Sequence, residues 1–289
     1  MTVSEFKKRI GEGIFAALCN KKYVWGTAKR SKSIEERLAI QKREWRTFCR
    51  AVGLRESDLK GRVVVDFGCG YGYDSLFILQ AGARRVICLE TVEQYLIEAR
   101  KLHEEFDMRN GVYLNSSHPA EVLERIGESG VDVVISRNVL EHVREPHEYL
   151  EAACAMMKQG ASFYLGVDPL YSSPFGAHLS AVCKVPWVHL MFSEKVMVRV
   201  LRRLYGLPDN IKRFIDIPGS GVNKLSYSDY ENLVKSFGFR IVRRKINWFG
   251  TLRTRHRVIR ALSCLPLRPG IKDLLIHNVY DLLHKPVPS

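Results

Sequence analysis

The chain is predicted to fold as an α/β protein, a mostly parallel sheet with helices on both faces. Three observations predict it. Short apolar runs rich in β-branched residues recur along the chain, as strands buried on both faces do. Stretches of helical periodicity separate them, the alternation that builds βα units. The first run, Val63-Val64-Val65-Asp66-Phe67, leads straight into Gly68-Cys69-Gly70-Tyr71-Gly72 and a helix start over Asp74 to Gln80. A strand, a glycine turn and a helix make a nucleotide-binding unit at the edge of such a sheet.

Before that unit the sequence reads as two helices. Phe6, Ile10, Ile14, Phe15 and Leu18 recur at helical spacing beside Lys7, Lys8 and Arg9. This suits an amphipathic helix at a membrane interface or a helix packed on the body. Ile34 to Val52 is a second helix, with Ser33 as cap and Glu36 completing a capping box.

The glycine turn discriminates between ligands. A dinucleotide site wants Gly-x-Gly-x-x-Gly, and that frame, started at Gly68, puts Tyr73 where the third glycine belongs. Asp66 would repel a pyrophosphate but suits an ammonium group. Eighteen positions after Gly72, the strand Arg85-Val86-Ile87-Cys88-Leu89 ends at Glu90, placed to accept the two hydroxyls of a ribose. Asp66 and Glu90 then stand at the same end of neighbouring strands, where parallel sheets bind ligands.

The D-x-G-x-G-x-G string resembles motif I of the class I S-adenosylmethionine (AdoMet) methyltransferases. That resemblance implies a Rossmann-like sheet of seven mostly parallel strands with a lid insertion after strand five. It continues downstream. Gly111 to Ser117 fits the third strand, with Ser116 where the family often has an adenine-binding Asp. Val131 to Ser136 fits the fourth, and Arg137-Asn138-Val139-Leu140-Glu141-His142-Val143 is similar to the x-x-L-E-H-V stretch of the small-molecule branch. Ala161 to Val167 is the fifth strand, after a turn at Gln159-Gly160; Phe239 to Trp248 is the sixth, and Asn278 to His284 the seventh, antiparallel in this family. The resemblance implies AdoMet as cofactor, held by Asp66, Gly68, Cys69, Gly70, Gly72, Asp74, Glu90, Thr91, Ser116, Ser117 and Asn138. The fourth strand lacks both the Asn/Asp-Pro-Pro-aromatic of base-nitrogen methylation and the Pro-Cys of pyrimidine C5 methylation, which argues against those two chemistries though not against every RNA methyltransferase.

Composition is that of a globular enzyme, 46% hydrophobic and 26% charged. No apolar run approaches the ~20 residues of a membrane span, and the polar start, Met1 to Arg9, is unlike a secretory signal. Seven cysteines without a C-x-x-C pair point to a reducing, cytoplasmic setting. The net charge of +14 is concentrated at the flanks: residues 1–50 hold 13 Lys/Arg against 5 acids, and residues 232–272 hold 11 against none. Such flanks attract an RNA, an anionic membrane surface touched peripherally, or an anionic carrier on the substrate; they also suit a plain solvated surface.

The expected organisation is a basic helical segment over residues 1–60, covering the cofactor pocket, and a methyltransferase domain over 61–289. Within the latter, residues 168–225 form the substrate lid and 250–272 a basic insertion. The lid carries His178 in Tyr171-Ser172-Ser173-Pro174-Phe175-Gly176-Ala177-His178, and His189 in Pro186-Trp187-Val188-His189. An imidazole can take a proton from an acceptor hydroxyl near neutral pH, so His178, His189 and, after them, His142 are the catalytic candidates. Small-RNA 3′-end methyltransferases bind a metal through Glu and His of a comparable segment. Here Asn138 stands where they would want a second Glu. A Glu141, His142, His178 cluster is a lesser alternative for a divalent ion, but its spacing in the sequence gives no support, and no metal is expected.

The predicted activity is methyl transfer from AdoMet to an oxygen, less readily a nitrogen or carbon, of a small-molecule, glycan-type or carrier-linked metabolite. The alternatives are an RNA methyltransferase using the basic flanks and a nucleotide-binding regulator without catalysis.

Overall fold

Strand β1 (Val63–Phe67) is buried along its whole length because its side chains alternate between two cores. Val63, Val65 and Phe67 join one cluster, while Val64 joins the other. In this computed structural model the residues described are 3–25, 33–116, 118–127, 130–217, 221–249, 254–263, 265 and 267–285.

Ahead of β1 lie α1 (Val3–Leu18), α2 (Ile34–Val52) and the short α3 (Glu56–Leu59). After it come α4 (Tyr73–Gln80), β2 (Arg85–Leu89), α5 (Glu93–Glu105), β3 (Gly111–Leu114), α6 (Pro119–Ile126), β4 (Val131–Arg137), α7 (Pro146–Met156) and β5 (Met157–Val167). The chain then forms α8 (Val188–Met191), α9 (Glu194–Tyr205), α10 (Tyr227–Ser236), β6 (Arg240–Ile246), α11 (Thr254–Ser263), α12 (Pro269–Leu275) and β7 (Val279–His284). The seven strands make one sheet in the order β3-β2-β1-β4-β5-β7-β6. All pairs from β3 to β5 are parallel, and β7 runs antiparallel to both β5 and β6. This is the Rossmann-like sheet expected from the sequence.

On one face Val65, Ile87, Val134 and Phe163 pack against Leu150 of α7 and Tyr230 of α10. On the other, Val64, Val86, Val133 and Ile135 pack against Trp45 and Phe48 of α2 and Ile78 of α4. Helix α2 has the expected capping box: Ser33 Oγ accepts from Glu36 N, and the Glu36 carboxylate accepts from Ser33 N.

Three expectations about elements change. The fifth strand begins at Met157, four residues before Ala161, because Gln159-Gly160 is absorbed as an irregularity: Val131 faces Met157, but Val133 faces Ser162. Helix α4 starts one residue early, at Tyr73. The third change concerns α1. Phe15 is fully buried while Ile10 and Ile14 are about half exposed. Phe15 packs with Leu179, Met197, Leu201 and Phe214 in a third cluster built from residues 177–222, and Glu12 pairs with Arg199 of α9. The first helix thus completes the core of the segment after β5, and α2 is the helix beside the sheet. Phe6, Lys7 and Lys8 have side chains outside the described set.

The basic run is partly internal. Arg244 makes a two-pronged pair with the fully buried Asp281 and a second pair with Glu231 at 2.7 Å, while Tyr230 donates to Asp281. Arg243 donates to the carbonyls of Ala51 and Arg50 at the end of α2. Both tie the antiparallel edge to the body. No helix among the described residues is long and apolar enough to cross a membrane.

Candidate active site

The glycine turn sits at the C-terminal end of β1, with Asp66 and Glu90 on neighbouring strands as expected. Gly70 has a left-handed φ of +51°, and a Cβ placed there would meet nothing within 4 Å. The backbone therefore faces open space, the cradle in which a ligand lies against main chain. Glu90 closes the turn from beside it. Its carboxylate accepts from Gly70 N at 3.1 Å, Thr91 N at 2.8 Å and Val92 N at 3.0 Å. Thr91 Oγ1 donates to it as well at 3.4 Å, so a ribose hydroxyl would share or replace one of these four contacts.

Asp66 is buried, and Ser75 Oγ donates to it. Burial, and then the nearby Asp74 charge, push its carboxyl up to about 7. An ammonium group beside it would favour the ionised form. The residues present therefore fit AdoMet: an open glycine cradle, an acid for the ribose and an acid awaiting a cation.

Other predicted contacts are more occupied. Asp74 is held by Arg137, through Nε at 2.6 Å and Nη2 at 2.9 Å. Cys69 is buried below the turn. Thr91 is exposed. Ser116 is buried, and its Oγ accepts from His118 N. Ser117 lies outside the described residues. Asn138, with φ of +57°, follows β4 and donates its N–H to Gly166 O.

Sequence reasoning missed His103, which supports the turn from α5. Its Nε2 bonds the Gly72 carbonyl at 2.9 Å, so that nitrogen carries the proton, and Nδ1 accepts from Tyr113 OH at 2.6 Å. Burial keeps this imidazole below its ordinary pKa, hence neutral.

Beyond the turn a pocket of about 330 Å³ opens at the ends of β4, β5 and β7. Phe48 of α2, Arg137 and Asn138 after β4, Asp168 after β5, Trp248 and Phe249 after β6, and Tyr280 of β7 line it. Trp248 Nε1 donates to Thr47 O, and Tyr280 OH donates to Asp168 at 3.1 Å. These residues come from segments far apart in sequence, which hid the pocket from a reading along the chain. A second cavity, lined by Arg100, Glu104 and Arg109, lies around the start of β3, at the end of the parallel strands opposite the turn.

The three histidines fall in two places. His142 and His178 stand with ring centroids 5.3 Å apart, next to Glu141. One ligand atom from each of Glu141, His142 and His178 lies within 4.8 Å of the others. Glu141 is buried; one carboxylate oxygen accepts from Asp168 N at 3.3 Å, and the other, Oε2, is buried without a partner. Its carboxyl is held well above the usual range, chiefly by burial. Burial, then the imidazoles of His142 and His277, pull His178 down to about 4, and its Nε2 is buried without a partner. Asp168 joins this cluster to the pocket wall. His189 sits instead in the core of the 177–222 segment, its Nε2 bonded to Tyr171 O at 2.6 Å.

Comparison with known proteins decides the family: the methyltransferase-domain family model matches residues 40–244. The chain belongs to this methyltransferase family. Over 126 residues it is 31% identical to the tRNA U34 carboxymethyltransferase of Idiomarina loihiensis, covering 42% of this chain and 38% of that protein. Over 141 residues it is 26% identical to the mitochondrial ubiquinone biosynthesis O-methyltransferase of Dictyostelium discoideum, covering 46% and 42%. The chain thus spans about two fifths of the length of these curated relatives. Among solved structures, an S-adenosylmethionine dependent methyltransferase from Mesorhizobium loti matches with a TM-score of 0.53 at 16% identity, over 84% of this chain and 97% of that one. The [4+2]-cyclase SpnF matches with a TM-score of 0.50 at 11% identity, over 99% and 96%. Those likenesses concern fold alone, and fold hosts more than one chemistry. The class I AdoMet-dependent methyltransferase assignment made from motif I stands on the family match.

Proposed function

We propose that this methyltransferase moves a methyl group from AdoMet to an oxygen of a small-molecule or carrier-linked metabolite seated in the pocket lined by Phe48, Trp248, Phe249 and Tyr280. The observation that carries this reading is the pocket itself. Its volume of about 330 Å³ suits a small acceptor, and its mixture of aromatic walls with Arg137 and Asp168 suits a flat or partly polar molecule.

AdoMet, when bound, supplies an electrophilic methyl on its sulfonium. Asp66 orients the ammonium end of the cofactor and Glu90 its ribose. Arg137, paired with Asp74, partly offsets the charge that Asp74 places beside Asp66. Phe48, Trp248 and Tyr280 exclude water and align the acceptor for in-line attack, which is most of what such a reaction asks of a protein. His178 is assigned the acceptor's proton because its Nε2 is unoccupied and Asp168 links its cluster to the pocket. Burial, lowering it to about 4, makes it a weak base until the acceptor's developing charge favours the protonated ring. His142 orients it, and His189 supports the surrounding segment.

A second reading, an RNA acceptor, draws support from the acid-free run over 232–272 and from the likeness to a tRNA-modifying protein. Arg243 and Arg244 in that run are engaged within the fold, which weakens it. A cytoplasmic site of action, with or without contact to a membrane surface, fits either reading. Incubation of the protein with methyl-labelled AdoMet and fractionated lysate separates them. Label in small metabolites or extractable carrier-linked species supports the first reading; label in RNA replaces it with the second; none in any fraction supports a non-catalytic binding role.

A further inference from the structure

We propose that Glu141, His142 and His178 form a binding site for a first-row divalent cation such as Zn²⁺ or Mn²⁺. The first ground is geometric. Residues separated by up to 37 positions in the chain bring one ligand atom each to within 4.8 Å of the other two. Cation–ligand bonds of ~2.1 Å put neighbouring ligand atoms a little over 3 Å apart, so modest side-chain rotation closes the set.

The second ground is unsatisfied bonding capacity at the same spot. Glu141 is 1% exposed, yet its Oε2 has no hydrogen-bond partner. His178 Nε2 is also buried without one. Buried polar atoms in native proteins are nearly always paired, and an orphan calls for an explanation such as an ion. Here two orphans from two different segments belong to one cluster. Neither has a hydrogen bond to surrender on taking up a cation.

The third ground is tautomeric. His142 Nδ1 lies against the Gly221 carbonyl, which only accepts, so Nδ1 carries the proton and Nε2 the lone pair. A ring fixed in this way by a backbone carbonyl is the usual preparation of a histidine ligand. Glu141 is braced in turn by Asp168 N, and the Glu141 carbonyl accepts from Asn223 N at 2.7 Å, beside the same Gly221 segment.

The donor set selects the ion class. Two imidazoles and one carboxylate suit borderline first-row cations, whereas Mg²⁺ and Ca²⁺ prefer oxygen alone. Three protein ligands leave coordination positions open, as in sites that also bind a substrate or water. The cluster adjoins the pocket at Asp168, so an acceptor oxygen reaching it would be polarised by the cation. With a cation in place, His178 serves as ligand and the cation takes over the activating role given to that imidazole above. The binding site itself does not depend on methyl transfer.

The test uses the full chain, stripped of metal with a chelating resin, in calorimetric titrations with ZnCl₂, MnCl₂ and MgCl₂ without AdoMet. One Zn²⁺ or Mn²⁺ per chain is expected, at least tenfold tighter than Mg²⁺. Glu141→Gln, which keeps the side-chain shape, and His178→Ala should each weaken it more than tenfold. Co²⁺ loaded in place of Zn²⁺ should give visible d–d bands that both variants lose. Absence of tight binding in the wild-type chain overturns the proposal, and so does binding that survives in a folded Glu141→Gln protein. AdoMet titrated separately distinguishes the two claims: cation binding without AdoMet binding leaves this site standing and removes the methyltransferase reading.

Discussion

Arg137, at the end of β4, grips Asp74, in the first turn of α4, with two bonds of 2.6 and 2.9 Å. The pair joins the strand that borders the pocket of Phe48, Trp248 and Tyr280 to the helix that follows the glycine turn. Both side chains are nearly buried, at 13% and 10% exposure, and Arg137 also reaches Gln41 of α2 at 3.0 Å.

Removing one member of a nearly buried pair strands the other. Arg137→Met should therefore destabilise the protein by about 3 kcal/mol, the scale for an orphaned buried charge. Adding Asp74→Asn should recover most of that loss. Thermal melts of the single and double variants check this; a single variant as stable as wild type would show the pair to be energetically idle.

Gly70→Ala and Gly68→Ala should fail differently. A Cβ at Gly68 would stand 2.5 Å from the Val139 side chain, so that variant should be clearly less stable. A Cβ at Gly70 meets open space, and its positive φ costs about 1–2 kcal/mol. Gly70→Ala should stay folded yet bind AdoMet at least tenfold more weakly. Melting curves beside cofactor titrations separate the two; unchanged AdoMet affinity in Gly70→Ala would place the cofactor elsewhere.

Asp66 makes stability depend on pH. Its folded carboxyl is raised from 3.8 to about 7, so between those values the folded state binds the extra proton. Its stabilising contribution is complete below pH ~4 and is lost as pH rises toward 7 and beyond. In the cofactor-free protein, Asp66→Asn should flatten that decline. An AdoMet ammonium favours the carboxylate, so binding below pH 7 should release a fraction of a proton. Calorimetry in buffers of different ionisation enthalpy measures that release, and its absence would remove Asp66 from the ammonium contact.

Phe249 lines the pocket and stacks on His277 with ring centroids 5.8 Å apart. Phe249→Ala should raise the KM for the acceptor about tenfold, the loss of roughly 1.4 kcal/mol of aromatic contact, with AdoMet affinity unchanged. Steady-state kinetics on the labelled acceptor checks this, and a change confined to AdoMet binding would move the acceptor out of the pocket.

The strand, the glycine turn and the two flanking acids, to which we assign the cofactor, were legible as a geometry because their signals are local. Asp66, the glycines and Glu90 lie within 25 positions, and strand ends and turns write themselves into short runs. The sheet followed from the same runs. The pocket was not legible, because Phe48, Asp168, Trp248 and Tyr280 meet only once β7 has inserted between β5 and β6. His178 gains its neighbours through a left-handed backbone, φ of +54°, that no pattern announces. The internal part of the basic run was hidden for a related reason: charge counts do not reveal that Arg244 serves a buried Asp281 from the neighbouring strand. Helical spacing in α1 was correct, but not which of Ile10, Ile14 and Phe15 would find a partner.

The central claim is that the turn after β1 holds AdoMet, and calorimetric titration of the full chain with AdoMet and with NAD tests it most directly. One AdoMet per chain and no NAD is the predicted result. Glu90→Ala should weaken AdoMet binding by roughly 1–3 kcal/mol, the scale of a hydrogen bond to a charged group. Tight NAD binding with no heat from AdoMet would contradict the account.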